Sequence, residues 1–166
     1  MKINHFLISA CFFSILLVLS ACNEDKCKNV VCQTNANCMD GDCICDQGFE
    51  KDAQDSCVLV RDKFIGTYQA NENCNGSGNS SYALSIIAGN SNQEVLINNF
   101  WNYFSNRVVG TISENSITIP AQNSSDDIFS VEGNGTINGN ALTLNFTITE
   151  ISTGESETCN ATWNKN

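Results

Sequence analysis

The second half of the chain alternates apolar and polar residues with the two-residue period of a β-strand. The clearest run covers residues 142–149, where one face would carry Leu142, Leu144, Phe146 and Ile148 and the other asparagine and threonine. A strand of this kind packs one face on a core and leaves the other in solvent. Similar runs predict seven further strands, at residues 65–73, 82–88, 94–98, 107–112, 116–119, 128–137 and 157–163.

Short polar segments separate these strands. They are rich in glycine and asparagine, which accept positive φ, and they are typical of hairpin turns. The segments are residues 76–79, 89–92, 114–115 and 138–140. With no helix of useful length, residues 64–166 are predicted to form a mainly β, antiparallel eight-stranded meander. It would close into a barrel, or form a two-sheet sandwich as the alternative.

Two cysteines bear on that choice. Cys74 and Cys159 lie near the ends of the first and last predicted strands, which are neighbours in a closed eight-stranded meander. A disulfide between them would lock the closure, although a sandwich can also bring its two ends together.

The amino-terminal segment is built differently. Lys2 precedes an apolar run over residues 6–19, which is typical of a secretory signal and, with its polar flanks, too short to span a membrane. The Leu-Ser-Ala-Cys sequence ending at Cys22 resembles the lipobox of bacterial lipoproteins. The resemblance implies a signal peptide over residues 1–21, acylation (palmitate) at Cys22, a spacer over residues 22–26 and firm membrane attachment.

The acidic residues after Cys22 suggest where the anchor places the protein. Asn23-Glu24-Asp25-Lys26 is similar to the surface-export signals of Bacteroidetes-type lipoproteins. That similarity implies the outer membrane, with the protein exposed at the cell surface. The alternative is a short solvated spacer.

Thiol counting agrees with an oxidising compartment. The chain has ten cysteines; removal of Cys11 with the leader and acylation of Cys22 would leave eight, an even number that can all pair. An ordinary secreted protein with a free Cys22 would have an odd number.

Six of the remaining cysteines fall within residues 27–57, with the spacing C-x4-C-x5-C-x4-C-x-C-x11-C. A segment this short cannot bury much apolar surface, so disulfides must supply most of its stability. Six cysteines permit fifteen pairings, and the spacing alone does not choose among them. A zinc site of clustered thiolates is the rival interpretation, which an oxidising compartment disfavours.

The stretch from Cys43 to Phe49, followed by Cys57, resembles the second half of an EGF-like domain, with its C-x-C, its Gly-aromatic pair and its final cysteine. Gln54 departs from the pattern, because a glycine is common at that place. The resemblance implies a small hairpin between Ile44 and Cys57 and three disulfides: Cys27–Cys38, Cys32–Cys43 and Cys45–Cys57.

Some EGF-like domains bind calcium, for which hard oxygen ligands are needed. Asn23 and Asp25 are candidates, but Lys26 stands where that subset has Glu or Gln, and its charge would weaken cation binding. Asp40 and Asp42 are interpreted as solvated turn residues. No metal site and no cofactor are predicted.

Charge and composition restrict the function further. Without the leader, the chain has seven basic and eighteen acidic residues, a formal net charge of −11. An acidic surface of this kind repels nucleic acid and disfavours a nucleic-acid partner. His5, the only histidine, would be lost with the leader, which excludes imidazole-based nucleophile systems. The chain is therefore predicted not to be an enzyme. Carboxylate candidates for an enzyme are Asp126, Asp127, Glu155 and Glu157.

After a linker over residues 58–63, the segment Phe64-Ile65-Gly66-Thr67-Tyr68 is similar to the Gly-x-aromatic start of the first strand in lipocalin-like barrels. That similarity implies a small apolar ligand in the barrel mouth.

Four aromatics lie within residues 100–104 and are set among asparagines, a composition typical of sugar-stacking or membrane-interface patches. The candidate ligand contacts are Phe100, Trp101 and Tyr103. Alternatively, two of these aromatics cap the core and the others shield its end. Trp163 would face the same cavity or belong to the core.

The resulting expectation is a lipid-anchored, non-enzymatic envelope protein whose barrel binds a small ligand, a glycan or a protein. A structural or adhesion protein, with the EGF-like unit as spacer and contact surface, is the alternative.

Overall fold

The computed structural model describes residues 25–166. The predicted signal peptide (residues 1–21) and the predicted lipidation site, Cys22, lie outside the described residues. The chain divides into two compact units: the described part of the first is residues 25–32 with Asn37–Ile44, and the second is Gln33–Ala36 with Cys45–Asn166. No helix in residues 25–166 is long and apolar enough to cross a membrane.

The first hairpin joins β1 (Ala36–Met39) to β2 (Asp42–Cys45). Asp40 and Gly41 form its turn, with φ of 54° and 99°. An Asp-Gly pair accepts the two positive φ values that a tight hairpin needs. Asp40 was predicted as a turn residue, but the hairpin around it was not, and Asp42 begins β2.

A second hairpin pairs β3 (Phe49–Lys51) with β4 (Cys57–Leu59), in the region where the EGF-like resemblance implies one. Three disulfides hold the cysteine-rich segment, and they join the same pairs that the resemblance implies: Cys27–Cys38, Cys32–Cys43 and Cys45–Cys57.

The rest of the chain is a closed antiparallel barrel, and the predicted eight-stranded meander is confirmed over the sandwich. Each strand pairs with the next, and the last pairs with the first. The strands are β5 (Gly66–Cys74), β6 (Gly78–Ala88), β7 (Glu94–Asn98), β8 (Val108–Ser113), β9 (Ser116–Asn123), β10 (Phe129–Asn138), β11 (Ala141–Glu150) and β12 (Ser156–Lys165).

Strand β9 runs further than predicted because a β-bulge accommodates Pro120. The pairing with β10 shifts between Val131 and Gly133, so that Pro120 and Ala121 together face one residue of β10. A proline has no N–H to donate to a partner strand, and a bulge is one of the few places in a sheet where this loss is tolerated.

Inward-facing side chains fill the barrel, with Trp163, Tyr68, Phe64 and Phe146 among the largest. Strand β10 comes unusually close to β11 at Gly133. A Cβ placed on Gly133 would lie 2.6 Å from Cβ of Phe146. Glycine therefore leaves room for a large inward side chain on the neighbouring strand.

The predicted linker, residues 58–63, is ordered. It contains the end of β4 and a 3-10 turn over Val60–Lys63, with Val60 buried. A guanidinium nitrogen of Arg61 donates to the carbonyl of Ser91 at 2.6 Å, and the ammonium of Lys63 donates to Glu50 at 2.8 Å. These bonds tie the second hairpin to the barrel end that carries the β6–β7 connection.

The seam between the first and last strands is closed by backbone pairing and by a disulfide. Cys159 lies directly opposite Cys74, and their sulfurs are bonded across 85 residues of sequence.

We expect Cys74→Ala/Cys159→Ala to lower the free energy of barrel unfolding by roughly 4 kcal/mol, because the unfolded chain loses a long covalent loop. Urea unfolding followed by the fluorescence of Trp101 and Trp163, both in the barrel, measures this. The matched control, Cys27→Ala/Cys38→Ala, removes a bond outside the barrel and should leave the barrel transition in place. Equal losses in both variants would contradict a special role for the seam bond.

Candidate functional site

The candidate site lies at the barrel end formed by the connections at residues 75–77, 99–107, 124–128 and 151–155, called the upper end here. The aromatic segment predicted from the sequence belongs to the longest of these connections. The β9–β10 connection lies against it: Ser105 and Ser125 share a hydrogen bond at 2.6 Å, and the Asn106 amide donates to the carbonyl of Asn123 at 3.0 Å.

The four aromatics divide into two inward and two outward side chains. Phe100 and Phe104 are buried, Trp101 is partly buried and Tyr103 is 40% exposed. This is the division that the alternative interpretation of the segment described.

Phe100, predicted as a ligand contact, lies in the core instead. Its ring makes edge-to-face contacts with Phe146 at 5.0 Å, Trp163 at 5.6 Å and Phe104 at 5.8 Å between centroids. The 3-10 turn over Phe100–Asn102 directs its side chain inward, where burial of a large apolar ring is favoured, and no surface of the ring remains for a ligand. Trp163 is core as well.

The outward aromatics meet a third ring from β10. Trp101, Tyr103 and Phe129 form a triangle with centroid separations of 5.9 Å, 5.3 Å and 4.9 Å. We call these three residues the aromatic rim. Ile128 and Ile151, on the neighbouring connections, are 45% and 43% exposed. The upper end therefore presents several large apolar side chains to solvent.

The backbone beneath the rim is strained. Asn99, Trp101 and Asn102 have φ of 59°, 53° and 51°. Asparagine enters this region fairly often, whereas a tryptophan there is an outlier that the surrounding structure must hold in place. The Asn99 amide supports it by donating to the carbonyl of Ala83 at 2.8 Å.

A hydrogen bond fixes Tyr103 on the β9–β10 connection. Its hydroxyl donates to Asp126 at 2.7 Å, and Asp126 also accepts from the Ser124 hydroxyl at 2.5 Å. The hydrogen bonds from Ser124 and Tyr103 lower the pKa of Asp126. The bond between Tyr103 and Asp126 also raises the pKa of Tyr103. Asp126 therefore has a structural task in the connection.

Beneath the rim lies a buried carboxylate that sequence analysis missed. Glu72 is 3% exposed and accepts hydrogen bonds from the Tyr82 hydroxyl at 2.5 Å, Trp163 Nε1 at 3.3 Å and the Ser80 hydroxyl at 3.3 Å. The signal was present, since Glu72 occupies an inward position in the alternation of β5, between Ala70 and Cys74.

Burial raises the pKa of Glu72 above its ordinary 4.5, against the opposing effect of its three hydrogen bonds. The pKa of Tyr82 is raised by burial first, and then by the charge of Glu72 and their hydrogen bond. A hydrogen bond from the Trp101 backbone acts on Tyr82 in the opposite direction. The buried pair thus supports the strained segment from below.

Two of the other acidic candidates also make structural contacts: Asp127 accepts a hydrogen bond from the Asn123 amide at 3.1 Å. Glu157 accepts from the backbone of Gly76 and Ser77 and so caps the β5–β6 connection. One of its oxygens lies within 4.8 Å of the sulfurs of Cys74 and Cys159, but those sulfurs are bonded to each other and are not thiolate ligands. Asp40 pairs with Lys26 at 3.6 Å on the surface.

No protein-family model matches the chain, and no curated protein matches it. Several solved structures do. The structure of EF1p2_mFAP2b bound to DFHBI matches with a TM-score of 0.45 at 11% sequence identity. The match covers 64% of the present chain and 97% of the EF1p2_mFAP2b chain. The redesigned beta barrel b11L5F_LGL has a TM-score of 0.46 at 12% identity, with 64% and 95% covered.

A structural-genomics protein of unknown function from Bacteroides ovatus has a TM-score of 0.40 at 12% identity. The match covers 62% of this chain and 42% of that chain. All three likenesses concern the fold alone.

Glu72 should make stability depend on pH. Its pKa is raised in the folded state, so its contribution is complete below pH 4.5 and is lost as the pH rises through the raised folded pKa. The Glu72→Gln variant keeps an acceptor oxygen but does not titrate. As the pH rises from 4.5 through the folded-state pKa of Glu72, the free energy of unfolding of the wild type should therefore fall relative to that of the variant. Urea unfolding of both proteins from pH 4 to pH 8 measures this, and a difference that stays flat, or favours the wild type at high pH, would contradict it.

Neighbouring positions 100 and 101 should respond very differently to truncation. Phe100→Ala should cost about 3–5 kcal/mol, because it empties part of the core. Trp101→Ala should cost less than about 2 kcal/mol, because its ring is only partly buried. Chemical unfolding of the two variants tests this, and the reverse order of costs would show that Trp101 is the core residue.

Proposed function

We propose that this chain is a lipid-anchored, non-enzymatic binding protein of the bacterial cell envelope, and that it engages a protein partner through the upper end of its barrel. One observation carries the proposal. The aromatic segment fills the barrel interior with Phe100 and Phe104, yet leaves Tyr103 exposed and Trp101 partly exposed on a strained backbone.

The filled interior favours surface contact over an enclosed ligand. The barrel mouth where a lipocalin-like ligand would enter is occupied by Phe100, which contacts Phe146 and Trp163. Apolar ligand pockets are concave and bury most of their ligand, which this packed end does not offer.

The composition of the upper end favours a protein partner. The aromatic rim is joined by the branched aliphatic side chains of Ile128 and Ile151. Centres of protein interfaces are rich in aromatic residues and poor in charge, and Trp and Tyr are frequent among their dominant contacts. A glycan stacked on the rim is the second candidate, supported by the three rings and the carboxylate of Asp126 beside them.

Two parts of the proposal, the lipid anchor and the EGF-like module, are supported by sequence motifs. The lipobox ending at Cys22 supports attachment, and the acidic residues after it support surface exposure at the outer membrane. The four disulfides suit an oxidising compartment. The spacer and disulfide module would then hold the barrel close to the membrane.

Site-specific photocrosslinking in intact cells tests the partner. A photoreactive residue at position 103 or 128 should give one discrete adduct, and the same residue at exposed Asn90, on the opposite end of the barrel, should give none. The adduct should weaken in Trp101→Ala. Equal labelling from all three positions, or none from the upper end, would overturn the proposed contact surface.

The anchor is tested separately in the same cells. Cys22→Ser should abolish incorporation of labelled palmitate and release the protein from the membrane fraction, while the purified barrel keeps its unfolding transition. Unchanged membrane attachment would refute the lipid anchor without bearing on the upper end.

A further inference from the structure

An unbroken row of asparagines crosses the outer face of the barrel. The register of five consecutive strands, from β10 through β11, β12 and β5 to β6, brings one exposed asparagine from each strand into line. In spatial order these are Asn134, Asn145, Asn160, Asn73 and Asn79. We call this set the asparagine row. The alignment of these five side chains follows from the register of the strands.

A second polar row runs parallel to it, two residues away along each strand. It consists of Thr143, Thr162, Asn71 and Ser81. The two rows form the walls of a groove of about 700 Å³, whose floor is the backbone at Leu144, Ala161, Glu72 and Ser80. Side chains two residues apart on a strand are separated by about 6.8 Å, which sets the spacing of the walls.

A smaller groove of about 450 Å³ lies on the other side of the asparagine row. It shares Asn145 with the first groove and includes Asn134, Thr147 and Thr158. Asn145 therefore stands between two parallel depressions, while Asn160, Asn73 and Asn79 line only the larger one.

Most of the amides in the row are available to a ligand. The amide of Asn73 donates to the side-chain oxygen of Asn79 at 2.5 Å. Within residues 25–166, the side-chain amides of Asn134, Asn145 and Asn160 have no hydrogen-bond partner. Each offers two donor hydrogens and an acceptor oxygen.

Charge and chemistry restrict what the larger groove can hold. Its walls are neutral amides and hydroxyls, and the carboxylate of Glu72 points to the other side of the sheet, where it is buried. The acidic chain as a whole repels anions. No aromatic or basic side chain lines this groove within the described residues. The matching ligand is neutral and carries many groups that both donate and accept hydrogen bonds.

We infer that the groove beside the asparagine row binds a neutral oligosaccharide lying across the strands. Its hydroxyls would exchange hydrogen bonds with the side chains of Asn145 and Asn160 on one wall and of Thr143 and Thr162 on the other. The groove crosses β11, β12, β5 and β6, a span of three strand spacings or about 14 Å, which suits a short chain of sugar units. This site is separate from the upper end and does not rest on the proposed function.

Nuclear magnetic resonance provides the test, with the oxidised mature chain carrying Cys22→Ser. The probes are hexasaccharides of glucose, xylose and mannose, with the hexamer of galacturonic acid as the charged comparison. At least one neutral probe should shift the side-chain NH₂ signals of Asn145 and Asn160 saturably, and the acidic hexamer should not. Saturable shifts confined to other residues, or no shift with any neutral probe at millimolar concentration, would overturn the inference.

Paired variants locate the site. Asn145→Ala/Asn160→Ala should raise the dissociation constant at least tenfold. Asn138→Ala/Asn164→Ala removes two exposed asparagines of the same face that line neither groove, and should change it less than twofold. Thermal unfolding shows whether both double variants are folded. If one of them is not, the side-chain NH₂ shifts of the wild-type protein alone decide the test. Equal effects of the two pairs, or loss of binding only in Trp101→Ala, would overturn the inference.

Discussion

Closure of the barrel depends on the pairing of β5 with β12, the only strand pairing within residues 66–165 that joins strands not consecutive in sequence. Every other strand pair is a hairpin, formed through a short local connection. Pairing across the seam must close a loop of most of the domain, at a cost in chain entropy that local hairpins do not carry. The bond between Cys74 and Cys159 makes that closure permanent in an oxidising environment.

The seam register also determines what lies inside and outside. Because Trp163 lies opposite Ala70, the indole and Glu72 face the interior together and can share a hydrogen bond. The same register places Asn160 opposite Asn73 on the outside, which joins the asparagines of β10–β12 to those of β5 and β6. A shift by one residue would exchange these two faces, so the buried carboxylate and the outer row depend on a single alignment.

Much of the fold could be predicted from the sequence, and the reasons differ between elements. The alternation in residues 142–149 and the Asn-Gly-Asn turn before it are local signals, and β11 was predicted to within a residue at each end. Local signals failed at Pro120, where a bulge extends β9. They also failed at residues 58–63, a short segment without a repeating pattern, which forms the end of β4 and an ordered 3-10 turn.

The site was less predictable because its parts come from separate connections. The composition of residues 100–104 indicated an aromatic patch, but whether Phe100 points inward depends on backbone torsions that the sequence does not display. The contribution of Phe129 depends on packing between connections, and the asparagine row depends on the register of five strands. The inward place of Glu72 followed from the alternation alone and was simply missed.

The seam disulfide has a mechanical consequence under the proposed anchoring. A pull between the membrane and a partner on the upper end would enter the barrel at Gly66, the first residue of β5, beside Lys165 at the end of β12. Load applied there would pull β5 in shear along its neighbours, β6 and β12. The bond at Cys74 joins the far end of β5 to β12, so β5 could not be drawn out of the barrel even after its backbone hydrogen bonds were broken. A tethered barrel of this design would lose strand pairing under tension while keeping β5 in place, and would pair it again when the tension is released.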